Sequence, residues 1–172
     1  MISTQNTVTD ATQIPYGAFY NCAQLTSVVL PDSVETIGVA CFYGCTNLQD
    51  VTIGNGVKSI GNYAFSGCSA LESFSFGSSM ESIGNEAFSN CYSLTSVTIP
   101  DSVTSIGYEA FYKCSLLTSI TIPDSVTSIG DYAFYYCTSL TSIEIPDSVT
   151  SISYDAFYGC SNLASIVVDE KN

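Results

Sequence analysis

The chain has 172 residues, 46% of them apolar, and carries 16 Asp and Glu against three lysines, with no histidine, for a net charge of −13. A surface that acidic repels phosphate backbones and anionic lipid, which makes nucleic acid and the inner membrane leaflet poor partners and basic protein patches or cations better ones. No apolar run reaches the roughly 18 residues that a spanning helix needs, so no direct membrane insertion is expected.

The opening stretch, "MISTQNTVTD", has no basic region followed by an apolar run and does not read as a secretory signal as it stands. It is polar and is expected to cover the first of a series of repeats. From there the chain keeps a clock of 23 residues. Isoleucine falls at Ile14, Ile37, Ile60, Ile83, Ile106, Ile129 and Ile152. Phenylalanine falls at Phe19, Phe42, Phe65, Phe88, Phe111, Phe134 and Phe157. Cysteine comes next at Cys22, Cys45, Cys68, Cys91, Cys114, Cys137 and Cys160, and leucine at Leu25, Leu48, Leu71, Leu94, Leu117, Leu140 and Leu163. Cys41 alone stands outside the thiol series, in a slot that other cycles fill with Ala.

The first cycle is degenerate, with Pro15 where later cycles put Gly. The cycles at Ile53 to Val57 ("IGNGV") and Phe76 to Met80 ("FGSSM") lack the Pro-Asp turn found at Pro31, Pro100, Pro123 and Pro146. The later cycles are the clearest. "LTSITIP", Leu117 to Pro123, puts Leu117, Ile120 and Ile122 on one side and Ser119 and Thr121 on the other, a short strand with one buried face. Pro123 ends it, and Asp124 and Ser125 suit a turn. A second extended piece spans Val126 to Ile129, and Gly130 allows a bend. Asp131 then caps a short helical turn that sends Ala133, Phe134 and Cys137 inward, with Asn62 and Asn85 in the same cap slot.

One cycle cannot stand alone. Ordering a residue costs roughly 1–2 kcal/mol of backbone entropy, more than the apolar side chains of a single cycle return. Stacked cycles share faces and hydrogen bonds, so the periodicity predicts an α/β repeat solenoid with one parallel strand per coil and short helical turns opposite. The cysteines are expected to be a ladder of reduced, buried thiols, with disulfides or a metal as the sharper alternatives and Cys41 the thiol that differs. The turn aspartates Asp32, Asp101, Asp124 and Asp147 are expected to cap turns, a calcium row being the alternative. No cofactor is expected.

Two surfaces are candidates for recognition. The outward strand columns run Ser27, Asp50, Ser73, Ser96, Ser119, Ser142, Ser165 and Val29, Thr52, Ser75, Thr98, Thr121, Glu144, Val167. They look bland, and a solvated hydroxyl ladder suits them better than a binding face. The tyrosines are more informative. Tyr108, Tyr112, Tyr132, Tyr135, Tyr136, Tyr154 and Tyr158 crowd the last three coils. A recognition patch built on them and Glu144, or a half-buried packing ladder, both remain open. A catalytic site is hard to build from carboxylates and core thiols without a cleft, so no enzyme is expected.

The repeated pattern Leu-x-x-Ile-x-Ile-Pro-x-Ser-Val-x-x-Ile-Gly-x-x-Ala-Phe-x-x-Cys, clearest over residues 99–167, resembles the BspA-like leucine-rich repeat of the 23-residue class. The resemblance implies a right-handed superhelix with its parallel sheet on the concave side, and about seven repeats across residues 1–172. It also implies a cell-surface or secreted protein that binds other proteins, often in adhesion to host matrix or cells. Both ends look open, which suggests a piece of a longer array or a homodimer joined end to end. A structural, self-assembling module and a carbohydrate-binding accessory domain are the alternatives.

Overall fold

A computed structural model describes residues 12–168; the polar start expected to cover the first coil lies outside them. Each coil contributes two strands. The first set is β2 (Ser27–Val29), β4 (Asp50–Thr52), β6 (Ser73–Ser75), β8 (Ser96–Thr98), β10 (Ser119–Thr121), β12 (Ser142–Ile145) and β14 (Ser165–Val168). The second is β1 (Gln13–Ile14), β3 (Thr36–Ile37), β5 (Ser59–Ile60), β7 (Ser82–Ile83), β9 (Ser105–Ile106), β11 (Ser128–Ile129) and β13 (Ser151–Ile152). Neighbours pair in parallel and one repeat apart, as in Ser119 with Ser96 and Ile129 with Ile106. The ladders run β2-β4-β6-β8-β10 and β12-β14 on one side, β1-β3-β5-β7 and β9-β11-β13 on the other. Alternation decides the buried face: in β4, β6, β8 and β10 the middle residue is buried and its neighbours face solvent.

The core is a set of columns. The phenylalanine rings stack nearly parallel along the solenoid, with centroids 5.1 Å apart for Phe42 and Phe65, 5.4 Å for Phe65 and Phe88, and 5.5 Å for Phe88 and Phe111. The cycle at Phe76 to Met80, one of the two without a Pro-Asp turn, adds Phe74 and Phe76 to the column, both set edge-on to Phe88.

The side opposite the longer strands departs from the sequence expectation. Among the described residues there is no helix there; the segment is a run of turns. Each coil carries two residues in the left-handed region four positions apart, such as Glu109 (φ 51) with Lys113 (φ 57) and Tyr132 (φ 58) with Tyr136 (φ 56). That conformation rotates the next N–H out of a helical path. Alternate amides therefore bond to the following coil: Phe65 N–H donates to the Ala87 carbonyl at 2.8 Å, Phe88 to Ala110 at 2.9 Å, Phe111 to Ala133 at 2.9 Å. The amides between them close local turns, as Ala64 does onto the Gly61 carbonyl.

The cap residues change role accordingly. Asn62 Oδ1 accepts from the Asn85 N–H at 2.9 Å, and Asn85 Oδ1 from the Tyr108 N–H at 3.1 Å, so these side chains join coils and cap no helix. Gly130, between the end of β11 and the run of turns, does not have a positive φ. A Cβ there would lie 2.7 Å from the Gly107 carbonyl carbon and 2.8 Å from the Tyr108 nitrogen. Glycine is required because two backbones pass too closely for any side chain.

Candidate binding surface

Two surfaces emerge from this geometry. The strand face carries the hydroxyl columns and a depression of about 560 Å³ that includes Asp50, Asn55, Ser73, Phe76, Ser78 and Thr98 among its lining. It opens beside the coils that lack the Pro-Asp turn. Glu144 is exposed on this face, in β12.

The turn side carries the tyrosines. The seven tyrosines named from the sequence lie in one connected cluster. Tyr112, Tyr135 and Tyr158 form a stacked column, with centroids 5.2 Å and 5.1 Å apart. Beside it Tyr108, Tyr132 and Tyr154 meet edge to face at 6.0 Å and 6.2 Å. Tyr132 joins the two rows by packing on Tyr135 at 5.4 Å. Tyr136 leans over Tyr135 and Tyr158 at a tilt of 57°. The stacking interval is that of the coils, so the solenoid sets the ring spacing directly. Tyr112, Tyr132 and Tyr135 are half-buried, whereas Tyr154 is 71% and Tyr158 53% exposed. The cluster therefore both packs the turn side and presents aromatic surface to solvent.

Glu144 does not belong to this cluster, because its strand lies on the other side of the coil. The sequence expectation grouped it with the tyrosines and missed the acids that lie beside them. Glu109 hydrogen-bonds the Tyr108 phenol, which with burial pushes that phenol up to about 12. Burial first, and then the charges of Asp155 and Asp131, raise the Tyr132 phenol. Each of these carboxylates sits one residue from a tyrosine of the row, which was the available signal. Tyr63 was missed too; it shares the repeat slot of Tyr132, and its phenol is held up by a hydrogen bond to Glu86. Lys113 places its ammonium 5.0 Å from the Tyr112 ring centroid.

The thiol column does different work. Every thiol from Cys45 onward in the series donates to the carbonyl of the phenylalanine 26 residues before it, including Cys68 to Phe42, Cys91 to Phe65 and Cys114 to Phe88, each at 3.2 Å. The slot thus takes a small apolar side chain that also donates one hydrogen bond, a description cysteine fits. All eight cysteines are free. Cys41 is buried and burial pushes its thiol up to about 12; the thiol that stands apart is the exposed Cys22 of the first coil. A thiol-reactive dye at mild alkaline pH should therefore modify one cysteine rapidly in the native protein and all eight only in denaturant. Rapid reaction of three or more would contradict the burial.

The turn serines and aspartates also bridge coils. Asp32 Oδ1 accepts from the Asn55 N–H at 2.7 Å, and Ser125 Oγ donates to the Val103 carbonyl at 2.7 Å.

A stack of parallel-strand coils with one apolar column per repeat slot defines a leucine-rich-repeat solenoid. The model of the BspA type leucine rich repeat region matches residues 12–117 and 104–172 in six copies. The chain belongs to that family, whose members are typically cell-surface or secreted and generally non-catalytic. It is similar to the crystal structure of a leucine rich cell surface protein from Faecalibacterium prausnitzii, at 43% identity and a TM-score of 0.86, over 92% of this chain and 43% of that one. A leucine-rich repeat protein from Bacteroides ovatus matches at 37% identity and a TM-score of 0.86, over 90% of this chain and 40% of that one. The T. pallidum leucine rich repeat protein matches at 35% identity and a TM-score of 0.82, over 88% of this chain and 71% of that one. The chain thus spans less than half the length of the Faecalibacterium and Bacteroides proteins. No curated protein matches it.

Proposed function

We propose that the chain is a non-catalytic protein-binding module of a cell-surface or secreted protein, acting in adhesion through the tyrosine surface of its last three coils. The observation that carries this reading is the seven-ring cluster, half packed and half presented. Tyrosine gives large contact area with little side-chain entropy to lose, which is why it is enriched at recognition surfaces. The cell-surface description of the Faecalibacterium protein supports the location. Capture of soluble matrix and host-surface proteins by the immobilised chain tests it. Binding should fall by about tenfold or more in a Tyr154→Ser, Tyr158→Ser double variant and be unchanged in Asp50→Asn, Glu144→Gln on the strand face. The reverse pattern would move the binding surface to the sheet.

The carbohydrate reading has less support, because sugar stacking needs an open ring face and Tyr135 has Tyr112 on one side and Tyr158 on the other.

A further inference from the structure

The cluster has a chemistry more specific than aromatic area. Its rings are interleaved with carboxylates: Glu109 at Tyr108, and Asp131 and Asp155 whose fields reach Tyr132. Asp155 also acts on Tyr135. The structure shows what such a surface holds. The Lys113 ammonium sits over Tyr112 at 5.0 Å, within the roughly 6 Å at which a cation is attracted to a ring face. One repeat further, the Lys113 slot is Tyr136, and two repeats further it is Gly159.

The consequence at the end of the column is a wedge. The Tyr136 ring lies so close above Gly159 that a Cβ there would meet it at 2.9 Å, so glycine is what lets the ring settle. Tyr136 and Tyr158 then stand 5.8 Å apart and 57° inclined, with Tyr135 behind them. Both front rings are exposed, at 41% and 53%. Among the described residues Lys58, the other cation, is far along the chain and paired with Glu35 at 3.0 Å. Among the described residues Lys113 is the one cation in contact with these rings, and it faces Tyr112.

We propose that this face of the last coils docks a cationic polypeptide segment, one presenting lysine or arginine side chains to the Tyr136–Tyr158 wedge and to the carboxylates of Glu109, Asp131 and Asp155. The inference rests on the protein-binding reading above and names the chemistry of the partner. Charge complementarity selects this occupant. A net charge of −13 attracts any basic chain, and the rings give that attraction a place, since Tyr135, on which both Tyr136 and Tyr158 pack, also feels the Asp155 charge. Repulsion by the same charge disfavours an acidic segment.

The test uses the full chain and a fluorescein-labelled glycine–lysine repeat peptide, tracked by anisotropy at physiological salt. A matched glycine–glutamine peptide serves as the neutral control. The lysine peptide should saturate and the glutamine peptide should not. Tyr136→Ser with Tyr158→Ser should weaken binding about tenfold, and Asp131→Asn with Asp155→Asn about fivefold. Tyr136→Phe with Tyr158→Phe should retain it, because the ring face is kept. Asp50→Asn with Glu144→Gln removes the same charge from the opposite side and should change affinity less than about twofold. Equal losses from the two charge pairs would mean diffuse attraction only and would overturn the proposal, as would binding indifferent to the tyrosines. If a host protein is captured in a tyrosine-dependent way while the lysine peptide fails to bind, the binding surface stands and its cationic preference falls.

Discussion

Raising the pH above about 9 should unfold this protein cooperatively, well before a typical fold of its size would fail. Cys41, Cys45, Cys68, Cys91, Cys114, Cys137 and Cys160 are all buried. Burial raises each thiol from its ordinary 9.0, to about 11 for Cys45, to about 12 for Cys114 and well above it for Cys91 and Cys137. The sign depends on which state holds the proton. Below 9 both states keep their thiols protonated, and the native advantage is complete. Above it the unfolded chain releases protons that the native chain retains. Each such thiol then removes about 1.4 kcal/mol of stability per pH unit. Several acting together exceed the roughly 5–15 kcal/mol that holds a domain within about two units. The raised phenols of Tyr63, Tyr108, Tyr132 and Tyr135 push the same way at higher pH. Circular dichroism against pH reads the midpoint, and Cys91→Ala with Cys114→Ala should make the alkaline limb shallower. A chain still folded at about pH 12, or a limb of unchanged slope in the variant, would contradict the buried ladder.

The second large effect concerns the ring column. Phe88→Ala should cost about 3–5 kcal/mol, because Phe88 is fully buried and has four ring neighbours: Phe65, Phe111, Phe74 and Phe76. Phe157→Ala should cost less than half as much, since Phe157 is only partly buried and stacks on Phe134 alone. In a one-dimensional array a central lesion also uncouples the coils on either side. The urea transition of Phe88→Ala should therefore broaden or split, whereas that of Phe157→Ala keeps its slope at a slightly lower midpoint. Equal losses at the two sites would show a globular core in place of a stack.

Much of this was legible because a solenoid turns period into place. Ile, Phe, Cys and Leu at 23-residue intervals needed only the assumption of stacking to become columns. The strand faces came from alternation in segments such as Ser119–Thr121. The turn side was less legible for a local reason. Inward residues at Ala133, Phe134 and Cys137 suit a helical turn and also a doubly kinked loop. What separates the two is left-handed backbone at Glu86, Glu109 and Tyr132, residue types that do not advertise it. Asn90 and Gly67 in the companion slot do advertise it. The tyrosine cluster was readable as a count on three coils. Its acidic rim was not, because which of two faces a turn residue joins depends on those same backbone angles. Glu144 lies on the strand face, as alternation along its strand implies.

The most direct measurement is a heteronuclear NMR titration of the labelled chain with the glycine–lysine peptide. Amide shifts should concentrate at residues 108–113, 131–136 and 154–159, where the rings and carboxylates lie, and Thr98, Thr121 and Glu144 on the strand face should stay fixed. Shifts confined to the strand face, with the tyrosine coils silent, would contradict the assignment of recognition to the turn side of the solenoid.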